Sequence, residues 1–290
     1  MSVVPARMGP MTTLGAISLP QNPPEALRGI ARAADEAGLE ELWLWEDCFL
    51  GGGVSAAAAA LAWTTRLKVG VGIMPVPFRN VALCAMEIAA LTRMFGDRVL
   101  PGIGHGVQEW MGQVGARPAS PLTLLREYAT TLRSLLHGES VSVQGKYVRL
   151  DAVRLDWPPT PPPALYVAAG GPKTLALAGA IGDGTVLSGG TSPDAVAEAS
   201  KRIAAAVPHE IVVFVLAVTG PDAADRLATA AVNYQQDYSG LAGTATEIAA
   251  GVREFAAAGA TKVILQPPPD EPDPEEYVRF VAREVRPLVD

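Results

Sequence analysis

Residues 67–103, LKVGVGIMPVPFRNVALCAMEIAALTRMFGDRVLPGI, predict a strand, a helix and a second strand in immediate succession. The first and last parts, 67–73 and 98–103, are short and largely apolar, which is typical of parallel strands covered on both faces. The part between them, 80–95, has the apolar spacing of an amphipathic helix. Parallel strands need such a crossover helix, so this stretch favours the α/β class.

The same unit recurs along the chain, because amphipathic or Ala-rich helical patterns separate further strand-like segments. These segments are 13–19, 41–46, 164–168, 184–188, 211–218 and 261–266. Eight strands, each followed by a helix, predict a (β/α)8 TIM barrel. A doubly wound sheet is the alternative, because strand order is not visible in one sequence.

The fourth and fifth predicted strands are separated by about sixty residues, more than one helix requires. Within this interval, VSVQGKYVRLDAVRL (141–155) alternates like a β-hairpin, with QGK as its turn. WPPTPPP (157–163) then predicts a stiff, extended connection. We interpret the interval as an insertion at a βα loop of a single domain that covers 1–290. An interdomain linker is the alternative.

Composition excludes several classes of partner and site. The 290 residues carry a net charge of −7 and no dense Lys/Arg run, which disfavours nucleic acid and anionic membranes. The longest apolar stretch, VSAAAAALAW (54–63), is shorter than the ~20 residues that span a bilayer. The first residues lack a secretory pattern, and Cys48 and Cys84 lack the spacing of a metal site. We expect a cytoplasmic protein that acts on a small molecule.

Two strand exits have the features of an anion site. In TIM barrels the active site lies where the strands end and the βα loops begin. AAGGPK (168–173) and LSGGT (187–191) place glycines just before a predicted helix, where free backbone N–H groups and the helix dipole favour phosphate. Ordinary tight turns with capping residues are the alternative.

GIGHGVQEWM (102–111) has the glycine content of a nucleotide loop but fails the dinucleotide pattern, because Val107 occupies the third glycine position. His105 stands at this exit between two glycines, which allow a ligand to approach closely. The other two histidines lack ligand spacing to it, so a metal site is not predicted. We expect His105 to face a pocket; a purely structural histidine is the alternative.

The exit WEDCF (45–49) contains two neighbouring carboxylates. Adjacent strand residues point to opposite faces, so Glu46 and Asp47 are not expected to act as a pair. Asp47, at the loop start, is the better pocket residue. In the third strand, Gly70 and Gly72 alternate, which is typical of a bulge or of a close approach to a ligand.

Taken together, these exits resemble the luciferase-like monooxygenase superfamily of (β/α)8 flavin and deazaflavin enzymes. The resemblance covers nearly the whole chain and is most specific in GLEELWLWEDCF (38–49), GARPASPLTLLREY (115–128) and AAGGPKTL (168–175). The last two are most similar to the branch that uses the 5-deazaflavin coenzyme F420. The branch that uses FMN is the alternative.

The resemblance implies a coenzyme site built from four strand exits. Asp47 and Cys48 would lie at the deazaflavin head, and Gly72–Ile73 would form a cis peptide in a bulge behind the ring. The other implied residues line the coenzyme or its phosphate side: Ala168, Ala169, Gly170, Gly171, Ser188, Gly189, Gly190 and Thr191.

The implied activity is hydride transfer to or from a small organic substrate, with a proton donor supplied by the protein. His105 is our first choice for this role, followed by Glu109 and Asp47. Trp110 and Met111 would form an apolar wall for the substrate; core residues of a short helix are the alternative. The resemblance also implies a homodimer. A non-catalytic flavin-binding barrel is the third alternative.

Two departures from the family pattern bear on the substrate. Some deazaflavin dehydrogenases have a histidine where this chain has Cys48, and a glutamate where it has Val107. These differences argue against a sugar-phosphate dehydrogenase.

Overall fold

In a computed structural model that describes residues 12–233 and 240–289, eight parallel strands close into a barrel. The barrel strands are β1 (Thr13–Ser18), β2 (Glu41–Leu44), β3 (Lys68–Pro75), β4 (Val99–Gly104), β7 (Tyr166–Ala168), β8 (Gly184–Leu187), β9 (Glu210–Val218) and β11 (Lys262–Gln266). Each pairs with the next in this order, and β11 pairs with β1. The predicted TIM barrel is therefore confirmed, and an open doubly wound sheet is excluded because there is no free edge among these eight strands. Residues 1–11, where the sequence lacks a secretory pattern, lie outside the described part.

Helices connect the strands of the barrel. They are α1 (Leu27–Ala37), α2 (Gly53–Trp63), α3 (Val81–Phe95), α4 (Gln108–Gln113), α5 (Pro121–Leu136), α6 (Pro172–Ile181), α7 (Pro193–Ile203), α8 (Ala223–Asn233), α9 (Ala245–Ala257) and α10 (Pro274–Phe280). Among residues 12–233 and 240–289, none of the helices is both long and apolar enough to cross a bilayer.

The predicted insertion is a hairpin that lies against α5. Strands β5 (Val141–Gln144) and β6 (Arg149–Val153) pair antiparallel, which confirms the prediction. The carboxylate of Glu127 accepts hydrogen bonds from three successive backbone N–H groups of the turn, those of Lys146, Tyr147 and Val148, at 3.0, 2.8 and 3.1 Å. This contact fixes the hairpin to the barrel.

A short strand not predicted from the sequence, β10 (Leu241–Ala242), pairs with β9.

Aromatic rings fill the barrel interior. Trp43 packs edge-to-face against Tyr166 and Phe214, with ring centroids 5.5 and 5.7 Å apart. A Cβ at Gly70 would lie 2.4 Å from the indole of Trp43, so this glycine makes room for the core. The expected ligand approach at Gly70 is thus replaced by packing.

A polar network, buried except for Glu210, lies at the N-terminal end of the barrel. The ammonium of Lys262 lies 2.7 Å from Glu41, 3.2 Å from Glu210 and 2.9 Å from the hydroxyl of Tyr166. Opposite charges therefore compensate one another where each would be costly to bury alone.

Candidate active site

A cavity of about 620 Å³ opens at the C-terminal ends of the strands. It brings together residues from every strand exit that was singled out for the coenzyme. The predicted residues that line it are Asp47, Gly72, Ile73, His105, Ala168, Ala169, Gly170, Gly171, Ser188 and Gly189. Cys48, Glu109, Gly190 and Thr191 are not among the lining residues, and their roles stay predictions.

The two carboxylates of the second exit have different tasks. Both oxygens of Glu46 accept hydrogen bonds from Arg79, at 2.7 and 2.9 Å, and the backbone N–H of Gly53 donates to the same group at 2.8 Å. Glu46 therefore holds α2 and the third exit together, although it also borders the cavity. Asp47 lines the cavity, and burial raises the pKa of its carboxyl.

The third exit forms the floor of the cavity. The Gly72–Ile73 peptide is cis, as the resemblance implies, and the register between β3 and β4 shifts between Val71 and Met74. A Cβ at Gly72 would lie 2.7 Å from the ring of Phe214, so the backbone rests directly on the core. Ile73 and Phe214 give this floor an apolar surface.

His105 lies on the wall between β4 and α6. Its Nε2 is 3.3 Å from the hydroxyl oxygen of Thr174, in the first turn of α6. The pKa of His105 is lowered, mainly because the ring is buried, with the backbone of Pro121 acting in the opposite direction. Burial therefore favours the neutral imidazole, which can accept or donate a proton at the cavity wall.

The two predicted anion turns differ in their capping. Gly171 caps α6 without a side chain, and a Cβ at Gly170 or Gly171 would meet no described atom within 4 Å. By contrast, Ser192 caps α7 by accepting from the N–H of Ala195, and the hydroxyl of Thr191 donates to the carbonyl of Ser188 at 2.7 Å. The open N-terminus of α6 is the better anion site.

Helix α4 contributes one of its two predicted apolar residues. Trp110 lines the cavity, whereas Met111 is fully buried in the core beneath it. Glu109 is exposed in the first turn of α4. Among the described residues, no group of three or more His, Cys, Asp or Glu side chains is placed to hold a metal ion.

Several lining residues were not predicted. They are Gln21, Trp45, Pro75, Gly106, Val107, Thr174, Val186 and Phe214. Trp45 belongs to the exit WEDCF, and Gln21 closely follows the predicted strand 13–19, so position alone could have found them. Phe214 lies within β9, and its inward direction follows from strand alternation once the barrel is closed.

Residues 1–259 match the family model of the luciferase-like monooxygenases. The chain belongs to this family. This luciferase-like chain is 30% identical to 5,10-methylenetetrahydromethanopterin reductase from Methanolobus tindarius over 194 residues, 67% of the chain and 59% of the relative. It is 35% identical to F420-dependent glucose-6-phosphate dehydrogenase from Tsukamurella paurometabola over 191 residues, 60% of the chain and 56% of the relative. The chain thus spans less than two thirds of the length of these curated relatives.

The luciferase-like fold is also seen in solved structures. The coenzyme F420-dependent tetrahydromethanopterin reductase from Methanopyrus kandleri superimposes with a TM-score of 0.83 at 18% identity, over 97% of this chain and all of that one. At this identity the match concerns the fold.

Proposed function

We propose that this chain is a coenzyme F420-dependent oxidoreductase that transfers a hydride to or from a small organic substrate. The observation that carries the proposal is the single cavity that joins Asp47, the Gly72–Ile73 bulge and the 168–171 turn. These are the positions at which the resemblance places the deazaflavin. A relative 35% identical to this chain carries dependence on F420 in its name.

The cavity suits a flat ring with an anionic arm. Its volume of about 620 Å³ lies within the range of cofactor sites. Ile73, Val186 and Phe214 supply an apolar surface for a ring. The N-terminus of α6, which has no side-chain cap, would offer an anion the helix dipole and the backbone N–H of Lys173. Asp47 would lie at the ring end, and Gly170 and Gly171 at the anionic end.

When bound, the coenzyme supplies or takes up a hydride, and the protein must handle the accompanying proton. The neutral ring of His105 holds or moves this proton at the cavity wall. Thr174 orients the ring through Nε2, because the two groups lie at hydrogen-bond distance. Trp110 and Val107 exclude water from the same side of the cavity.

Titration of the protein with F420 and with FMN tests the proposal. We expect F420 to bind and FMN to bind much more weakly. Tight binding of FMN with none of F420 would overturn the assignment in favour of an FMN-dependent monooxygenase. Binding of F420 without turnover of any electron-poor alkene, imine, alcohol or ketone would reduce the protein to a flavin-binding barrel.

We also propose a homodimer formed through α3. Leu83, Met86 and Met94 lie on one face of this helix and are 48%, 60% and 63% exposed. Exposed apolar side chains at this spacing are typical of a contact face, and a twofold dimer buries such a face against itself. Light scattering of the wild type should give the dimer mass, and Met86→Glu should give the monomer. A monomeric wild type would contradict this proposal.

A further inference from the structure

A second cavity, of about 380 Å³, adjoins the candidate active site. It lies outside the barrel wall, between the start of α1 and one side of α2, at the C-terminal ends of β1 and β2. The two cavities share Trp45, which is a lining residue of both. The loop after β1 also borders both, since Gln21 lines the active-site cavity and Asn22 lines the second one.

The second cavity exists because α2 has small side chains where larger ones would fill the space. Ser55, Ala56 and Ala59 line it, whereas Ala57 and Ala60 on the other side of the helix are buried in the core. The alanine run at 56–60 therefore serves two surfaces. One packs against the barrel, and the other leaves room beside Trp45.

The lining is uncharged. The described residues around the second cavity are apolar or glycine, apart from Ser18, Asn22 and Ser55. The active-site cavity next to it has Asp47 and Glu46 but neither lysine nor arginine among its described lining residues. An anionic substrate would find no countercharge from a described side chain in either cavity. In the second cavity a cationic group would find none either, so its lining favours an uncharged group.

Trp45 gives the shared wall one polar group. Its ring lies 6.0 Å from that of Phe214, which places the ring on the active-site side of this wall. The indole Nε1 is buried and has no hydrogen-bond partner among the described residues. A buried donor without a partner is costly, and a carbonyl or hydroxyl oxygen beside it would supply the missing acceptor.

We propose that the second cavity binds the apolar arm of the substrate. The substrate is then an uncharged carbonyl or hydroxyl compound with a ring-sized hydrocarbon arm. Its polar end lies in the active-site cavity with His105, and its arm passes Trp45 to rest on Ala56 and Ala59. This assignment rests on the proposed oxidoreductase function and adds the class of substrate to it.

The test uses methyl 2-naphthyl ketone as the probe. Calorimetry measures its binding to the full chain. Ala59→Phe fills the second cavity. Ser55→Phe fills it from an exposed position, where we expect a larger side chain not to disturb folding. Ala62→Phe is the matched control, because Ala62 is exposed on the same helix and does not line the cavity. Thermal melting verifies that each variant is folded.

We expect both filling variants to weaken probe binding by about tenfold or more, and the control to stay within about twofold of the wild type. No binding by the wild type, or equal effects of Ala59→Phe and Ala62→Phe, would overturn the proposal. F420 titrations in parallel separate the two ideas. If Ala59→Phe loses probe binding but still binds F420 like the wild type, the result supports both the cavity assignment and the coenzyme. If Ala59→Phe and Ala62→Phe differ in probe binding but the protein binds no F420, the cavity assignment stands and the coenzyme assignment fails.

Discussion

The Nε2 atom of His105 lies 3.3 Å from the hydroxyl oxygen of Thr174. This contact joins the exit of β4 to the first turn of α6, so the candidate proton donor and the candidate anion site belong to one unit. The neighbouring glycines of β4 have a related effect. A Cβ at Gly104 would lie 3.1 Å from Ala168 and from Ile73, so a larger residue would push the two walls of the cavity apart.

His105→Ala should lower turnover without preventing coenzyme binding. Removal of a general acid or base costs about 10²- to 10⁴-fold in rate. Steady-state kinetics would measure kcat, and a coenzyme titration would measure Kd. His137→Ala is the control, because His137 is exposed at the end of α5. Unchanged kcat in His105→Ala would remove His105 from the mechanism.

The titration of His105 should be shifted to low pH. Burial lowers its pKa below the ordinary 6.5, so the unfolded chain binds the proton more readily than the folded one. The stability that this residue contributes is therefore complete above about pH 6.5 and is lost as the pH falls through the folded pKa. NMR titration of the ring nitrogens, assigned with His105→Ala, measures the shift. A midpoint above 6.5 would contradict the burial argument.

Asp47→Asn should weaken coenzyme binding without lowering the stability of the protein. Burial raises the pKa of this carboxyl above 3.8, so its charge at pH 7 costs free energy of folding. The amide has the same shape without the charge, and we expect an equal or higher Tm. F420 affinity should fall by roughly tenfold or more through loss of a charged partner. Asp151→Asn, at an exposed position of the hairpin, is the control. Unchanged affinity in Asp47→Asn would place the aspartate outside the coenzyme site.

Two glycine substitutions should have different effects: Gly70→Ala should lower stability, and Gly171→Ala should weaken coenzyme binding. Gly70→Ala would place a Cβ 2.4 Å from the ring of Trp43, and overpacking of this kind costs about 1–3 kcal/mol of unfolding free energy. Gly171→Ala meets no described atom within 4 Å and has an ordinary φ of −84°, so stability should change by less than about 0.5 kcal/mol. Denaturant unfolding measures both. Coenzyme titration should then show weaker binding in Gly171→Ala, because the added methyl group enters the cavity. A destabilised Gly171→Ala with unchanged coenzyme binding, together with a stable Gly70→Ala, would contradict both assignments.

Much of the fold was predictable because its signals are local. Apolar runs at 67–73 and 98–103, with a helical pattern between them, identify β3, α3 and β4 within a few residues. The hairpin at 141–155 was predictable for the same reason, since alternation is a property of neighbouring residues. The two-residue strand β10 is too short to have such a pattern, and it forms because β9 offers it an edge.

The sequence predicted which strand exits form the candidate site, but it was less informative about which side chains at those exits line the cavity. Sequence position places Glu46 and Asp47 together, and only the position of Arg79 shows that Glu46 is held by an ion pair while Asp47 lines the cavity. Likewise, both glycine-rich turns precede a helix. Their capping distinguishes them, because Ser192 caps α7 whereas Gly171 leaves α6 open.

The sequence by itself determined the number of barrel strands, their order along the chain and the exits that carry chemistry, because periodicity and turn residues act over a few positions. The tertiary structure decided which strands become neighbours and which side chains at each exit meet. The contact of His105 with Thr174 and the position of Trp45 between two cavities depend on residues far apart in the chain, and barrel closure brings them together.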